Sequence, residues 1–447
     1  MYNSQYIYFT KRNVTGLQSA NQDGKQKGKN MTYIRRWAEE EYLLAETIFK
    51  AIIFSGVRQC GKTTLMKRSL PENSVFLSLD DVDLARAAQE STAGFLMRYR
   101  TRTCIAIDEV QKVPDLFHAI KSVVDTRSEK RQFLLSGSSN YKTMPTIHES
   151  MAGRLGEVRL RPMTEGEIQG NSPSLIERLM KGDFDEDVTY DECNKDLILQ
   201  KAVRGGFPEL LNYSGRQRNY WFNAYVDASV KKDFLELAQF RKPEVLSKLL
   251  ELCAANSSRT LNVSEAAGLF AVSRQTLSEY LAALQTMFLV DMIPAWQPRV
   301  ADRVTSTEKM LLCDTGLMSY LTGIGHSDVL KAGDKAKTDL VGNLIETWVY
   351  QQLVPLTDLG REWRLYHFRN RMGKEIDFIL EHRNGDLICF EVKASEGIKS
   401  EHFKNLRWFR EQFGKERTMK TVVLYCGWTT CQYSEDEYAL PMAWLWK

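Results

Sequence analysis

Gly56-Val57-Arg58-Gln59-Cys60-Gly61-Lys62-Thr63 is a complete G-x-x-x-x-G-K-T stretch. It lies between the apolar run Ala51-Ile52-Ile53-Phe54 and a helix-prone stretch from Thr64 to Leu70, the strand, loop and helix order in which such a loop cradles phosphates. Gly56 and Gly61 let backbone N–H groups close around an anion, with Val57, Arg58, Gln59 and Cys60 forming the rest of the turn. Lys62 can reach the β- and γ-phosphates, Thr63 can hold Mg²⁺, and Thr64 follows at a helix start whose dipole favours negative charge. The chain is therefore expected to bind ATP with Mg²⁺.

A second acid-bearing strand follows at a suitable distance. Cys104-Ile105-Ala106-Ile107 reads as a short buried strand that ends in Asp108-Glu109, a Walker B pattern. Such an ending is common in isolation; after a phosphate loop it points to Asp108 as a Mg²⁺ ligand and Glu109 as the group that polarises the attacking water, hence to hydrolysis. A further strand, Gln132-Phe133-Leu134-Leu135, runs into Ser136-Gly137-Ser138-Ser139-Asn140, where Asn140 is the candidate sensor of the γ-phosphate. With strands at Val75–Leu79 and Val158–Leu160 this makes five strands alternating with helices, which predicts a parallel sheet covered on both faces with ligand at the carboxyl ends.

At 447 residues and 43% hydrophobic content the chain is long enough for about three domains with sizeable cores. Sixty Lys plus Arg against 57 Asp plus Glu leave a net charge of +3, so any nucleic-acid surface must be local. No apolar run approaches the roughly 18 residues that span a bilayer, and no signal-peptide core is visible, so no membrane partner and a cytoplasmic location are expected. Eight scattered cysteines without C-x-x-C spacing read as reduced core thiols, and the six histidines show no ligand spacing. Cys60, beside the phosphates, is either a target for a modifying reagent or an inert spacer.

Along the chain, residues 1–30 are polar and read as a disordered leader or a misplaced start before Met31; 31–170 read as the ATPase core. Residues 171–335 read as a helical region after an acid-rich connection at 183–196. Within it, Ser264–Phe270, Ala271-Val272-Ser273 and Arg274–Leu284 form a helix-turn-helix pattern continuing toward a wing. Ser273 is placed to cap the second helix, whose Arg274, Gln275 and Ser278 could enter a major groove; packing on the ATPase core without DNA contact is the competing expectation.

Residues 336–447 change character again, with a helix Leu340–Leu353 and strands Asp377–Leu380 and Leu387–Lys393. Asp377 and Glu391-Val392-Lys393 would bring two carboxylates and an amine together, as metal-dependent phosphodiester cleavage requires. Asp377 and Glu391 are the candidate Mg²⁺ ligands, Lys393 would position or activate water, and Glu346 could complete the acidic cluster. A domain of this kind that binds without cutting is the alternative.

Taken together, Gly56 to Thr64, Leu79-Asp80-Asp81, Ile107 to Pro114, Gly153-Arg154 and Gly205-Gly206-Phe207-Pro208-Glu209 resemble the prokaryotic AAA-type ATPases of the AAA+ superfamily that carry a C-terminal PD-(D/E)XK nuclease-like domain. The resemblance runs from Met31 to about Gly427. It implies an α/β multidomain chain: a P-loop NTPase (AAA+) parallel-sheet core, a helical and winged-helix middle, and a restriction-endonuclease-like C-terminal domain. It also makes Arg154 a candidate arginine finger or sensor, against the plainer reading of an arginine satisfying a local carboxylate. A finger acting in trans implies a homo-oligomer. Two functions are then expected in competition: an ATP-hydrolysing protein acting on DNA, or an ATP-dependent regulatory or scaffold protein whose C-terminal domain is a non-cutting interaction module.

Overall fold

Short runs of β-branched and apolar residues build the first sheet: β1 (Ala51–Ser55), β2 (Val75–Ser78), β3 (Ile105–Asp108), β4 (Phe133–Gly137) and β5 (Leu155–Arg159), in the order β2-β3-β4-β1-β5. The computed structural model that gives this order describes residues 33–138, 151–182, 190, 193–230, 243–303, 306–325, 335–415 and 417–447. The leader 1–30, Asn140 and most of the acid-rich connection lie outside the described residues. β2, β3, β4 and β1 pair in parallel. Every residue of β1, β3 and β4 is buried, whereas β2 and β5 alternate, as inner and outer strands of a helix-covered sheet should. Ile53, Leu77, Ile107 and Leu135 pack there with Leu116, Phe117 and Ile120 of the helix Leu116–Thr126. Each fully buried side chain of this kind contributes about 1.5–3 kcal/mol.

The described chain packs as two units. The first holds β1 to β4 and the chain through Val158; the second holds Gly56–Gly61 and Arg159–Lys447. In the first, the Leu79-Asp80-Asp81 motif has a structural use: Asp81 caps the helix Val82–Glu90 by accepting from the Asp83 and Leu84 N–H groups, and Asp80 pairs with Lys112 at 2.5 Å.

In the second unit the Gly205-Gly206-Phe207 motif is a backbone clamp. The Gly206 N–H donates to Asp314 Oδ2 at 2.7 Å, and a Cβ on Gly206 would lie 2.2 Å from the Met163 carbonyl oxygen. The helices Val263–Leu269 and Arg274–Thr286 lie over the two helical periods of the sequence, with Asn262 and Ser273 as side-chain caps. Arg274, Gln275 and Ser278 are exposed. Beside this pair lies a three-stranded antiparallel sheet of β6 (Arg259–Thr260), β7 (Val290–Ile293) and β8 (Lys309–Leu312), in the order β6-β8-β7.

A 24-residue helix, Lys335–Asp358, leads into β9 (Trp363–Arg369), β10 (Glu375–His382), β11 (Leu387–Lys393), β12 (Met419–Tyr425), β13 (Cys431–Ser434) and β14 (Glu437–Pro441). They form one mixed sheet in the order β13-β14-β12-β11-β10-β9. These six strands lie within residues 336–447, the span expected from sequence to form a domain of its own. Trp296, from the chain after β7, is fully buried in the core of the six-stranded sheet with Phe368, Ile379 and Phe409, and its N–H donates to the His367 carbonyl at 2.6 Å. All eight cysteines are free and seven are buried. Among the described residues no helix is long and apolar enough to cross a membrane.

Candidate functional site

The phosphate-loop sequence leaves β1 through Gly56, whose φ of 144° and whose approach to Leu160 both exclude a side chain: a Cβ would sit 2.0 Å from the Leu160 carbonyl oxygen. Gly61 has a φ of 103°, and Gln59 is left-handed at 68°. Val57 and Cys60 are buried, while Gln59 is exposed. The Cys60 Sγ lies 3.6 Å from the Leu160 carbonyl oxygen, so this thiol packs inward, which favours the spacer reading. The Tyr225 hydroxyl donates to the Arg58 carbonyl at 3.4 Å.

Lys62 opens the helix Lys62–Arg68 with a buried side chain, and Thr64 is exposed on its first turn. The Thr63 hydroxyl donates to Asp108 Oδ2 at 2.9 Å, and the Ser136 hydroxyl donates to Asp108 Oδ1. The parallel register, with Ile107 beside Leu135, sets Asp108 at the end of β3 next to Ser136 on β4. This carboxylate, a Thr hydroxyl and a Ser hydroxyl are the hard oxygen donors that Mg²⁺ accepts, so the residues fit that ion. Glu109 follows in the left-handed region at φ 56°, and its carboxylate accepts from the Gln111 side-chain amide. A non-glycine residue held there costs about 1 kcal/mol or more, the kind of strain that gathers at functional positions.

Arg154 is engaged locally. Its guanidinium makes a two-pronged contact with the Asp125 carboxylate, one arm at 3.1 Å, and this holds the Asp125 carboxyl below the usual carboxylate range. Asn140, the candidate phosphate sensor, lies outside the described residues.

The C-terminal cluster is built differently. β10 carries one residue more than β9 between Ile376 and Ile379, a bulge that contains Asp377. Bulges of this kind re-aim side chains. Asp377 Oδ2 accepts the Val392 N–H at 2.7 Å. Continuing the β10–β11 register beyond the Phe378–Phe390 pair puts Asp377 across from Glu391. Lys393, two residues on and on the same face of β11, donates to Glu391 Oε1 at 2.7 Å. Glu391 is 8% exposed, and among the described residues its buried Oε2 has no hydrogen-bond partner.

Glu346, on the helix Lys335–Asp358, lies close enough to Asp377 and Glu391 for their charges to interact. Among the described residues no three His, Cys, Asp or Glu side chains form a group that could hold a metal ion. Glu346 accepts from Lys309 Nζ at 2.6 Å, a lysine delivered by β8. Burial, with Asp377 nearby, pushes the Glu391 carboxyl up to about 8. Burial, offset by Lys309, pushes Glu346 up to about 7. An orphaned carboxylate oxygen among like charges is a setting that a divalent cation relieves, so Asp377 and Glu391 fit Mg²⁺.

Sequence reasoning missed Ser136 as a partner of Asp108, Gln111 as the holder of Glu109, and Lys309. For Lys309 the one signal was a charged residue opening the apolar run Met310-Leu311-Leu312.

Residues 49–169 match the family model described as an AAA domain, while residues 195–328 and 341–445 match two families described as domains of unknown function, DUF8612 and DUF4143. An uncharacterized protein of Mycobacterium tuberculosis is 26% identical over 348 residues, which span 77% of this chain and 70% of that protein. An uncharacterized protein of Haemophilus influenzae is 22% identical over 409 residues, 85% of this chain and 92% of its own length. Among solved structures, the Walker-type ATPase PABY2304 of Pyrococcus abyssi aligns with 67% of this chain over 99% of its own, with 13% identity and a TM-score of 0.40. The match over residues 49–169 is to an AAA domain.

Proposed function

We propose that the chain is an ATP-hydrolysing AAA+ protein that acts on DNA through a winged helix, formed by the helix pair and the β6-β8-β7 sheet, and through a metal-dependent nuclease-like C-terminal domain. The observation that carries it is the pairing of two phosphate-chemistry constellations in one chain: Thr63 on Asp108 at 2.9 Å, and Asp377, Glu391 and Lys393 on adjoining strands.

In the ATPase half, the loop Gly56–Gly61, Lys62 and Thr64 bind the phosphates, Thr63 and Asp108 hold Mg²⁺, and Glu109 accepts a proton from the attacking water. Bound Mg²⁺ supplies charge neutralisation on the phosphates. Gln111 orients the Glu109 carboxylate for that task. Arg154 serves as finger or sensor only on leaving Asp125, and doing so in trans requires a homo-oligomer. In the C-terminal half, Asp377 and Glu391 hold Mg²⁺, and Lys393 positions or activates water next to Glu391. Arg274, Gln275 and Ser278, exposed on a capped helix, are available to base edges and phosphates.

A second reading keeps the ATPase and makes the C-terminal domain a non-cutting interaction module. The engagement of Glu346 by Lys309 supports it, because one of the three acids is already neutralised by the protein itself. Mg²⁺-dependent cleavage of linear, branched and single-stranded DNA, with and without ATP, tests the two. Cleavage that Asp377→Ala abolishes is the expected result; no cleavage of any substrate by the wild type refutes the nuclease reading and leaves the module.

A further inference from the structure

Lys309 is 1% exposed, it sits on the middle strand of the β6-β8-β7 sheet, and the carboxylates it pairs with, Glu346 and Glu375, belong to the acidic cluster of the C-terminal domain. An ammonium has three N–H bonds to place. Those of Lys309 face Glu346 at 2.6 Å, the Asp377 carbonyl oxygen at 3.4 Å and Glu375 at 3.6 Å. Lys393 plays a different part, holding Glu391 Oε1 at 2.7 Å and leaving Oε2 buried without a partner.

We propose that Lys309 is a built-in cation that removes Glu346 and Glu375 from the acidic cluster, so that the C-terminal site takes a single divalent ion on Asp377 and Glu391. This rests on the reading of Asp377 and Glu391 as a cation site and deepens it by fixing the stoichiometry and the ligand set. Ion pairing supports the assignment. The cluster gathers four carboxylates, Glu346, Glu375, Asp377 and Glu391, and two ammonium groups, of which Lys309 pairs with Glu346 and Glu375, and Lys393 with Glu391. Space supports it as well. Mg²⁺ binds carboxylate oxygen at about 2.0–2.1 Å. Glu346 Oε1 already accepts from Lys309, a buried lysine that also pairs with Glu375 and so keeps its charge among these acids. The unpartnered Glu391 Oε2 marks where the ion goes.

Mn²⁺ binding to the full chain tests this, counted by electron paramagnetic resonance without nucleotide and in an Asp108→Asn background that silences the ATPase metal site. One Mn²⁺ per chain is expected, with affinity weakened about tenfold or more by Glu391→Gln and changed less than about twofold by Glu346→Gln. Lys309→Gln, which frees Glu346, is expected to tighten Mn²⁺ about tenfold or to admit a second ion. If Lys309→Gln fails to fold, as a melting curve would reveal, Glu346→Gln still decides. Loss of affinity in Glu346→Gln equal to that in Glu391→Gln overturns the role of Lys309 while leaving the cation site intact. Mn²⁺ binding that neither Glu391→Gln nor Asp377→Asn alters overturns the cation site itself.

Discussion

Asp108 and Glu391 are both buried carboxylates, 6% and 8% exposed, and both stand at or near the end of an inner strand, yet their surroundings have opposite character. Asp108 is met by two neutral hydroxyl donors, Thr63 on the helix Lys62–Arg68 and Ser136 on the neighbouring strand β4. Glu391 is met by charge: Lys393 on one oxygen, nothing on the other, and Asp377 and Glu346 close enough to push its carboxyl upward. The contrast separates two ways of surrounding a buried carboxylate. Neutral hydroxyl dipoles satisfy a buried carboxylate without adding charge to the site. Opposed charges raise the carboxyls they surround, and they have to be collected from β8, β10, β11 and a long helix.

The strongest way to break the comparison is to disable one site and watch the other. Lys62→Ala is expected to lower ATP turnover by about 10³-fold, close to 4 kcal/mol, while leaving Mn²⁺ affinity at Asp377 and Glu391 unchanged. A drop in that affinity would mean that the two sites are not prepared independently.

Next in size is Lys309→Met, which strands Glu346 in a largely buried position. Breaking such a pair costs about 3 kcal/mol, visible as a lowered melting temperature, and a further Glu346→Gln change should recover part of it. An unchanged melting temperature would show that the charged cluster is solvated enough to behave like a surface pair.

The smallest effect sharpens the role of burial without involving a carboxylate. Burial, then the Lys309 ammonium, pushes the His367 imidazole down to about 4, with its Nε2 2.9 Å from the Thr307 carbonyl oxygen. Below the ordinary histidine range the unfolded chain takes up a proton that the folded chain refuses, so stability falls as pH drops from about 6.5 toward 4. The loss attributable to this group is about 2 kcal/mol by pH 5. Urea midpoints at pH 7 and 5 should differ less in His367→Gln than in the wild type; equal shifts in both would place the acid sensitivity elsewhere.

Residues close in sequence were the readable ones. The phosphate loop, Asp108 at a strand end, the Ser273 cap and the Glu391-Val392-Lys393 strand all declare themselves through spacing, because a strand alternates every two residues and a helix cap lies next to the turn it satisfies. Boundaries drifted where tertiary packing extends an element, as in the helix predicted at Leu340–Leu353 and found at Lys335–Asp358. Trp296 carried no visible sign that it would enter the core of the six-stranded sheet, since a lone aromatic after a short strand has no period. The bulge at Asp377 was invisible for the same reason: one extra residue in a strand shows only against its partner.

By itself, then, the sequence determined the chemistry of the nucleotide loop, the acid that ends β3 and the pairing of Glu391 with Lys393, since each is set by neighbours a few residues away along the chain. Only the tertiary structure decided which charges meet. It brought Lys309 some 37 positions along the chain onto Glu346, put Ser136 on Asp108 and left one oxygen of Glu391 without a partner. Burial makes charge expensive to leave unmatched, and which charges are buried together is a property of packed elements, not of spacing in a chain.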